Sequence, residues 1–132
     1  MIRLSPVDSA HLIWPVVEKA LLRVKEKTGE RWTSAFVMSR ITSGNAGLFR
    51  FTDDGAHVAW MVVERYAQGE SPYMNVWIVE GDGLEKGLEC MVLVDTLARQ
   101  IGATAWRCTG RKGWGKALGL EPIAAVYERS LI

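Results

Sequence analysis

The chain has 132 residues, of which 48% are hydrophobic and 23% charged, and its formal net charge is +1. This balance predicts one folded domain over residues 1–132 with a substantial core, and it argues against a disordered chain. The basic residues are scattered rather than clustered, so nucleic-acid binding is not expected. No apolar run approaches the ~20 residues that span a bilayer, and Met1–Pro6 lacks the build of a signal peptide. We therefore expect a cytoplasmic protein without a membrane partner.

The N-terminal segment predicts a strand followed by a long helix. Ile2–Leu4 has the pattern of a short strand. The side chain of Asp8 or Ser9 can accept a hydrogen bond from a first-turn N–H group, so the helix is expected to begin there and to run to about Thr28. Gly29 is expected to end it, because glycine readily adopts the left-handed conformation of a helix C-terminus.

A second helical pattern covers Arg31–Ile41. Its inner face is expected to carry Trp32, Ala35, Phe36 and Ser39, with Val37 and Met38 as further candidates.

Three strand-like runs follow. Ala46–Phe51 and His57–Tyr66 are joined by Thr52–Gly55, which contains an Asp-Gly pair. Asp-Gly between two apolar runs predicts a β-hairpin, because both residues tolerate the positive φ that the central positions of a type I′ turn require. A polar loop then leads to a third strand at Tyr73–Val79.

The segment from Trp77 to Glu89 joins a strand-like run, three glycines and a helical pattern. A helix N-terminus after such a turn is typical of an anion site, because free N–H groups and the helix dipole point at one spot. Against Lys86 alone, however, the segment carries four acidic residues: Glu80, Asp82, Glu85 and Glu89. A second interpretation is a capping box, in which Asp82 and Glu85 bond the first N–H groups and the helix begins near Gly83.

The C-terminal third continues with alternating elements. The third helix is expected to run to about Ile101 and to be followed by a strand at Ala103–Cys108, a short helix at Gly113–Leu118 and a last strand at Ile123–Leu131. The predicted order is β-α-α-β-β-β-α-β-α-β. A hairpin-rich first half before a β-α-β-α-β second half predicts an α/β fold, with a mixed sheet and helices on both faces.

This order, the Gly-rich turn before the third helix and the sequence Gly119-Leu120-Glu121-Pro122 resemble the GNAT superfamily of N-acetyltransferases over nearly the whole chain. The resemblance implies a mixed, mostly antiparallel central sheet. It also implies that acetyl-coenzyme A binds between two splayed strands and that the acetyl group passes to an amine. In the family, a turn of the form Arg/Gln-x-x-Gly-x-Gly/Ala holds the coenzyme's pyrophosphate.

On this chain the turn corresponds to residues 84–89, where only Gly87 matches. Leu84 replaces the Arg or Gln, and Glu89 replaces the small residue that lets the backbone approach the phosphates. The resemblance also implies a tyrosine as acid for the leaving thiolate, at a position that is Gly115 here. No cofactor is therefore expected. If acetyl-coenzyme A does bind, the resemblance places these residues around it: Leu84, Lys86, Gly87, Leu88, Glu89 and Arg111, the last from a local basic cluster.

Two carboxylates are the candidate general bases of an acetyltransferase, Glu64 and Glu80, at or near the ends of adjacent central strands. The alternative is that they are structural carboxylates at the edge of the sheet, paired with Arg65 or Arg107. His57 starts a strand beside the hairpin turn, where a surface hydrogen bond is favoured over catalysis.

The two cysteines, Cys90 and Cys108, fit neither a disulfide framework nor a zinc motif, and no metal site is expected. Cys108 would be a nucleophile only if its pKa were lowered, so a buried structural thiol is favoured.

Two hypotheses follow. The first is a GNAT-like protein that has lost coenzyme chemistry and serves as a structural or interaction protein, with protein partners or self-association. The chain is similar to small GNAT-like proteins encoded by tailed bacteriophages, some of which are virion components. A virion location is therefore the alternative to the cytoplasm. The second hypothesis is an active acetyl-coenzyme A-dependent N-acetyltransferase with an atypical turn.

Overall fold

The structure is a computed structural model that describes residues 1–67, 69, 71–81, 86–109, 118–123 and 127–132. Its elements follow the predicted order as far as the fifth strand: β1 (Ile2–Pro6), α1 (Ala10–Thr28), α2 (Ser34–Thr42), β2 (Ala46–Asp53), β3 (Ala56–Tyr66), β4 (Tyr73–Gly81), α3 (Gly87–Gln100) and β5 (Ala105–Cys108).

The described strands form one five-stranded sheet in the order β1-β2-β3-β4-β5. The first four strands pair antiparallel with their neighbours, and β5 pairs with β4 in parallel. The parallel pair is joined by a crossover that contains α3, as parallel strands require. The prediction of a mixed, mostly antiparallel sheet is confirmed.

The β2–β3 hairpin turns at Asp54 and Gly55, whose φ angles are 48° and 88°. Positive φ at both positions fits a two-residue turn whose twist matches that of the flanking strands. The Asp-Gly hairpin prediction is confirmed.

Helices cover both faces of the sheet, as predicted. α1 and α2 pack on one face over a cluster that includes Val17, Leu21, Val37, Val62 and Ile78. α3 packs on the other face over a cluster that includes Phe51, Met61, Met74, Val94 and Ala98. Every residue of β3 from Ala59 to Glu64 is buried, so this central strand contributes side chains to both clusters.

The helix ends differ in part from the predictions. Ser9 occupies the N-cap position of α1, but its side chain makes no capping hydrogen bond, so the predicted cap is wrong. Gly29 ends α1 in the left-handed conformation, as predicted. α2 begins at Ser34, later than predicted, because the Thr33 hydroxyl accepts a hydrogen bond from the backbone N–H of Phe36 and fixes the first turn there.

The predicted inner face of α2 is largely wrong. Val37 is the residue of α2 that is fully buried, and Trp32 is buried just before the helix. Ala35 and Ser39 are exposed, and Phe36 is 52% exposed. Val37 lies in the cluster beneath α1 and α2, and Ile41, one turn further along, packs against it.

The predicted last strand is wrong over residues 123 and 127–131, which belong to no strand. Tyr127 and Leu131 are 91% and 93% exposed. Apolar content alone cannot form a strand, because the backbone also needs a paired neighbour. Of the predicted short helix, Leu118 is helical and Gly119 has a φ of 68°; residues 113–117 lie outside the described residues.

Candidate functional site

The two parallel strands β4 and β5 pair along only part of β4. The paired rows run from Tyr73–Ala105 to Val76–Cys108. β4 continues to Gly81, so along 77–81 its outer edge has no strand partner in the described part of the chain. Backbone N–H and C=O groups that point outward from such an edge can bind an extended ligand.

A β-bulge lies where this open edge begins. Val62 pairs with Ile78 but Val63 pairs with Val76, so Trp77 is an extra residue in β4. A bulge breaks the ladder locally and re-aims the side chain and peptide groups around it. The indole of Trp77 packs against the cluster beneath α1 and α2 and meets the ring of Phe36 edge-to-face, with ring centroids 6.0 Å apart.

α3 begins at Gly87, with Lys86 at the N-cap position and no capping bond from its side chain. The capping-box interpretation concerns Asp82, Gly83 and Glu85, which lie outside the described residues. β4 extends two residues beyond the predicted Val79, which leaves less chain for the turn. Residues 82–85, including Leu84, lie outside the described residues, as does Arg111.

The first turn of α3 carries mixed charges. The Lys86 Nζ donates to Asp53 Oδ2 over 2.7 Å, so this ammonium group is engaged by a carboxylate of the hairpin turn. The salt bridge lowers the pKa of Asp53. Glu89 is exposed in the same first turn of the helix. A methyl group at Gly87 would lie 3.0 Å from Leu118 Cδ2, so this glycine allows the C-terminal segment to pack closely against the helix.

The candidate base Glu64 is buried in a network of hydrogen bonds, with 6% of its surface exposed. Its Oε2 accepts from Arg40 Nη2 over 2.6 Å. Its Oε1 accepts from the Tyr66 hydroxyl over 3.1 Å and from Asn75 Nδ2 over 3.3 Å. Glu64 is fixed from three directions, because α2 supplies the guanidinium, β3 itself supplies the Tyr66 hydroxyl and the neighbouring strand β4 supplies the Asn75 amide.

The predicted partners of this carboxylate were wrong. Arg65 donates from Nε to the Ile101 carbonyl over 3.0 Å, on the opposite face of the sheet. The Arg107 guanidinium lies 4.2 Å from the centre of the Tyr73 ring. Arg40 was not predicted as a partner of Glu64, because helix α2 was assigned a different inner face and no local spacing links residues 40 and 64.

The second candidate base, Glu80, pairs with Arg23 of α1 over 3.1 Å. In the β3–β4 register Glu80 lies opposite Trp60, and Glu64 lies four residues further along β3. At about 3.3 Å per residue, the two carboxylates stand roughly 13 Å apart on the same face. They cannot act as one catalytic pair.

The remaining titratable candidates have ordinary structural roles. The Arg50 Nε donates to His57 Nδ1 over 2.9 Å, and burial together with the charge of Arg50 lowers the pKa of His57. Burial raises the pKa of the thiols of Cys90 and Cys108, which disfavours a nucleophilic thiolate. Among the described residues, no cluster of three metal-ligating side chains occurs, and no helix there is long and apolar enough to cross a membrane.

Solved structures of acetyltransferases share this architecture. The putative acetyltransferase YycN from Bacillus subtilis matches with a TM-score of 0.68 and 12% identity, over 100% of this chain and 99% of that one. An aminoglycoside acetyltransferase from an uncultured soil metagenomic sample, solved with sisomicin, matches with a TM-score of 0.65 and 11% identity, over 99% and 97%. A GNAT family acetyltransferase from Staphylococcus aureus matches with a TM-score of 0.61 and 11% identity, over 98% of both chains.

No family model matches the sequence, and no curated protein matches it significantly. The structural matches define the class of the fold: the chain has the GNAT acetyltransferase fold. Their low identities leave the activity to the chemistry of this chain's own residues.

Proposed function

We propose that this chain is a non-catalytic GNAT-fold protein that acts by binding a partner or ligand rather than by acetyl transfer. The observation that carries the proposal is the first turn of α3, where the fold would hold a coenzyme pyrophosphate. Glu89 lies in that turn, and Lys86 is engaged by Asp53.

The charge at this helix end works against a phosphate. A helix N-terminus stabilises an anion by about 1 kcal/mol. A carboxylate about 5 Å from a phosphate charge repels it by ~3 kcal/mol at an effective dielectric constant near 20, and by ~1 kcal/mol in bulk water. Glu89 is exposed, so the repulsion lies between these limits and at least cancels the benefit of the helix. The match at Gly87 therefore does not bring with it the chemistry of the family's phosphate turn.

Exposed apolar side chains support a binding role. Leu12 and Val16 on α1 are 72% and 64% exposed, and Leu88 and Val92 on α3 are 64% and 63% exposed. Each pair has i, i+4 spacing, so each forms an apolar stripe on the outer surface of its helix. These stripes favour a protein partner or self-association, whereas a virion location stays a prediction that rests on the sequence resemblance alone.

Isothermal titration with acetyl-coenzyme A tests the proposal. We expect no saturable heat for the native chain. The double substitution Leu84→Arg with Glu89→Gly should create measurable affinity, and Glu26→Gly, a substitution of the same type on α1, should not. A micromolar dissociation constant for the native chain would contradict the proposal.

An active N-acetyltransferase that uses acetyl-coenzyme A is the second candidate, and a different observation favours it. The bulge at Trp77 and the open edge of β4 beyond it give an extended ligand access to free backbone groups. Of the two candidate bases, Glu64 is held by three donors, whereas Glu80 pairs with Arg23, whose side chain is 54% exposed. Glu80 is thus the carboxylate that can reach an acceptor amine with less rearrangement.

Release of free thiol from acetyl-coenzyme A in the presence of a panel of amines measures this activity. If the chain is an enzyme, Glu80→Gln should lower the rate by about 100-fold or more, as loss of a general base does. A rate equal to that without protein removes this candidate.

A further inference from the structure

The sheet ends at strand β5, whose outer edge has no strand partner in the described part of the chain. Backbone N–H and C=O groups along such an edge can pair with an extended segment of another chain, and native proteins usually block them with proline, charge or a covering element. The opposite edge strand, β1, ends in Pro6, which has no N–H group to donate. β5 contains no proline, so each residue of Ala105–Cys108 keeps its N–H group.

Arg107 of β5 carries a guanidinium group that is held in place by an aromatic ring. Its guanidinium carbon lies 4.2 Å from the centre of the Tyr73 ring, and Tyr73 is stacked on Tyr66 with ring centroids 5.3 Å apart. Stacking covers the flat face of the guanidinium group and leaves the N–H groups at its rim able to donate. The side chain is exposed, and no acidic group among the described residues pairs with it. This edge therefore presents a fixed positive charge that suits a carboxylate.

The segment 127–132 is exposed throughout and belongs to no strand of its own chain. Tyr127 and Leu131 leave nearly their whole side chains in water, although burial of large apolar side chains is favourable. In an extended segment, side chains two residues apart lie on the same side. Tyr127 and Leu131 would therefore share one side, and Glu128 would lie on the other.

Within its own chain, this segment is held away from β5. Glu128 pairs with Arg31, which lies in the connection between α1 and α2. The end of α1 lies near the end of β4, because Arg23 pairs with Glu80, whereas β5 pairs with the beginning of β4, Tyr73–Val76. The side chains of Arg31 and Glu128 are 78% and 60% exposed, and exposed ion pairs contribute little to stability. Glu128 can therefore exchange Arg31 for another guanidinium group at little cost.

We propose that two copies of this chain exchange their 127–132 segments, each of which pairs as an additional strand with the outer edge of β5 in the other copy. Glu128 then accepts hydrogen bonds from Arg107 of the other copy. Tyr127 turns to the opposite face of the sheet, where Trp106 and Cys108 are half-buried. A reciprocal exchange occupies both segments and both edges, so it closes as a dimer rather than growing into a filament.

This inference rests on the partner-binding part of the proposed function, for which it names the partner. It does not depend on whether acetyl-coenzyme A binds.

Analytical ultracentrifugation of the full chain over about a hundredfold range of protein concentration tests the exchange, because the association follows mass action. We expect the native chain to form a reversible dimer. Arg107→Glu and Glu128→Arg should each raise the dimer dissociation constant about tenfold or more, because each places like charges opposite each other. An equimolar mixture of the two variants should associate as tightly as the native chain, since both contacts of the mixed dimer join opposite charges.

Two further substitutions are controls. Arg3→Glu makes the same charge reversal on the other edge strand, β1, where Arg3 is also exposed, and it should leave the association unchanged. Arg31→Gln removes the pair that Glu128 makes within its own chain and should not weaken the dimer, which separates loss of that pair from loss of the contact with Arg107. Unfolding curves of all the variants establish that they fold.

Three results would overturn the exchange. One is a native chain that stays monomeric at every concentration. Another is a mixture of Arg107→Glu and Glu128→Arg that associates no better than either variant alone. The third is slow amide hydrogen exchange in β5 that is independent of protein concentration, which would place a strand of the same chain at this edge. Titration of the same samples with acetyl-coenzyme A distinguishes a failure of the exchange from a failure of the proposed function.

Discussion

Neutralising Glu64 is the sharpest test of whether this carboxylate supports the fold or serves chemistry. Glu64→Gln keeps the shape of the side chain but leaves Arg40 without its counter-ion. Breaking a buried ion pair by removing one partner costs about 3–5 kcal/mol. Arg40 keeps 29% of its side chain exposed, so water compensates part of this loss. We expect the free energy of unfolding to fall by about 2–3 kcal/mol.

Glu80→Gln is the matched control for this experiment. It removes the same charge from the ion pair with Arg23, whose side chain is 54% exposed, and pairs of this kind contribute about 0.2–1 kcal/mol. Urea unfolding measures the loss of stability in both variants, provided that the dependence of the free energy of unfolding on urea concentration is unchanged. If Glu64→Gln lowers the free energy of unfolding no more than Glu80→Gln does, the hydrogen-bond network around Glu64 does not support the fold. Glu64 would then again be a candidate general base.

Other substitutions test the sheet, the surface and the thiols. Gly81→Ala would place a methyl group 2.5 Å from the Val58 carbonyl oxygen, whereas at Gly47 the nearest atom is at the edge of the movable Phe49 ring. Urea unfolding should therefore show that Gly81→Ala lowers the free energy of unfolding by about 1–3 kcal/mol and that Gly47→Ala lowers it by less. Equal losses would contradict the register at Gly81. Because the pKa of His57 is lowered from 6.5 in the fold, the unfolded chain binds the proton more readily, and stability is lost as pH falls through about 6.5. The free energy of unfolding, measured at about pH 7.5 and about pH 5.5, should therefore fall less on acidification for His57→Gln than for the native chain. An equal fall in both proteins would contradict this reasoning. Burial raises the pKa of the thiols of Cys90 and Cys108, so a thiol reagent should modify them more slowly in the folded chain than in urea; fast reaction of Cys108 would restore it as a nucleophile.

The features that the sequence predicted well are those with a local physical cause. Asp54-Gly55 predicts its hairpin because positive φ at both positions is a property of the two residues themselves. Gly29 ends α1 for a similar reason. The end of β4 at Gly81, two residues beyond the predicted Val79, has no comparable local signal, because it depends on pairing with β3.

The features that were missed depend on distant parts of the chain. Arg40 and Glu64 are 24 residues apart and meet only because α2 lies across β3. The bulge at Trp77 depends on the register between β3 and β4 and has no signature in composition. The predicted strand at Ile123–Leu131 begins with an apolar run, but residues 123 and 127–131 belong to no strand, and pairing cannot be read from one segment alone.

The double burial of β3 has a consequence for how the protein unfolds. Its residues alternate between the cluster beneath α1 and α2 and the cluster beneath α3. Loss of β3 from the sheet would therefore open both halves of the hydrophobic interior together. Amide hydrogen exchange in β3 should then occur only through global unfolding, and a cavity made beneath α3 should accelerate exchange in α1 by the same free energy. Through this one strand, the two faces of the sheet are expected to form one cooperative unit.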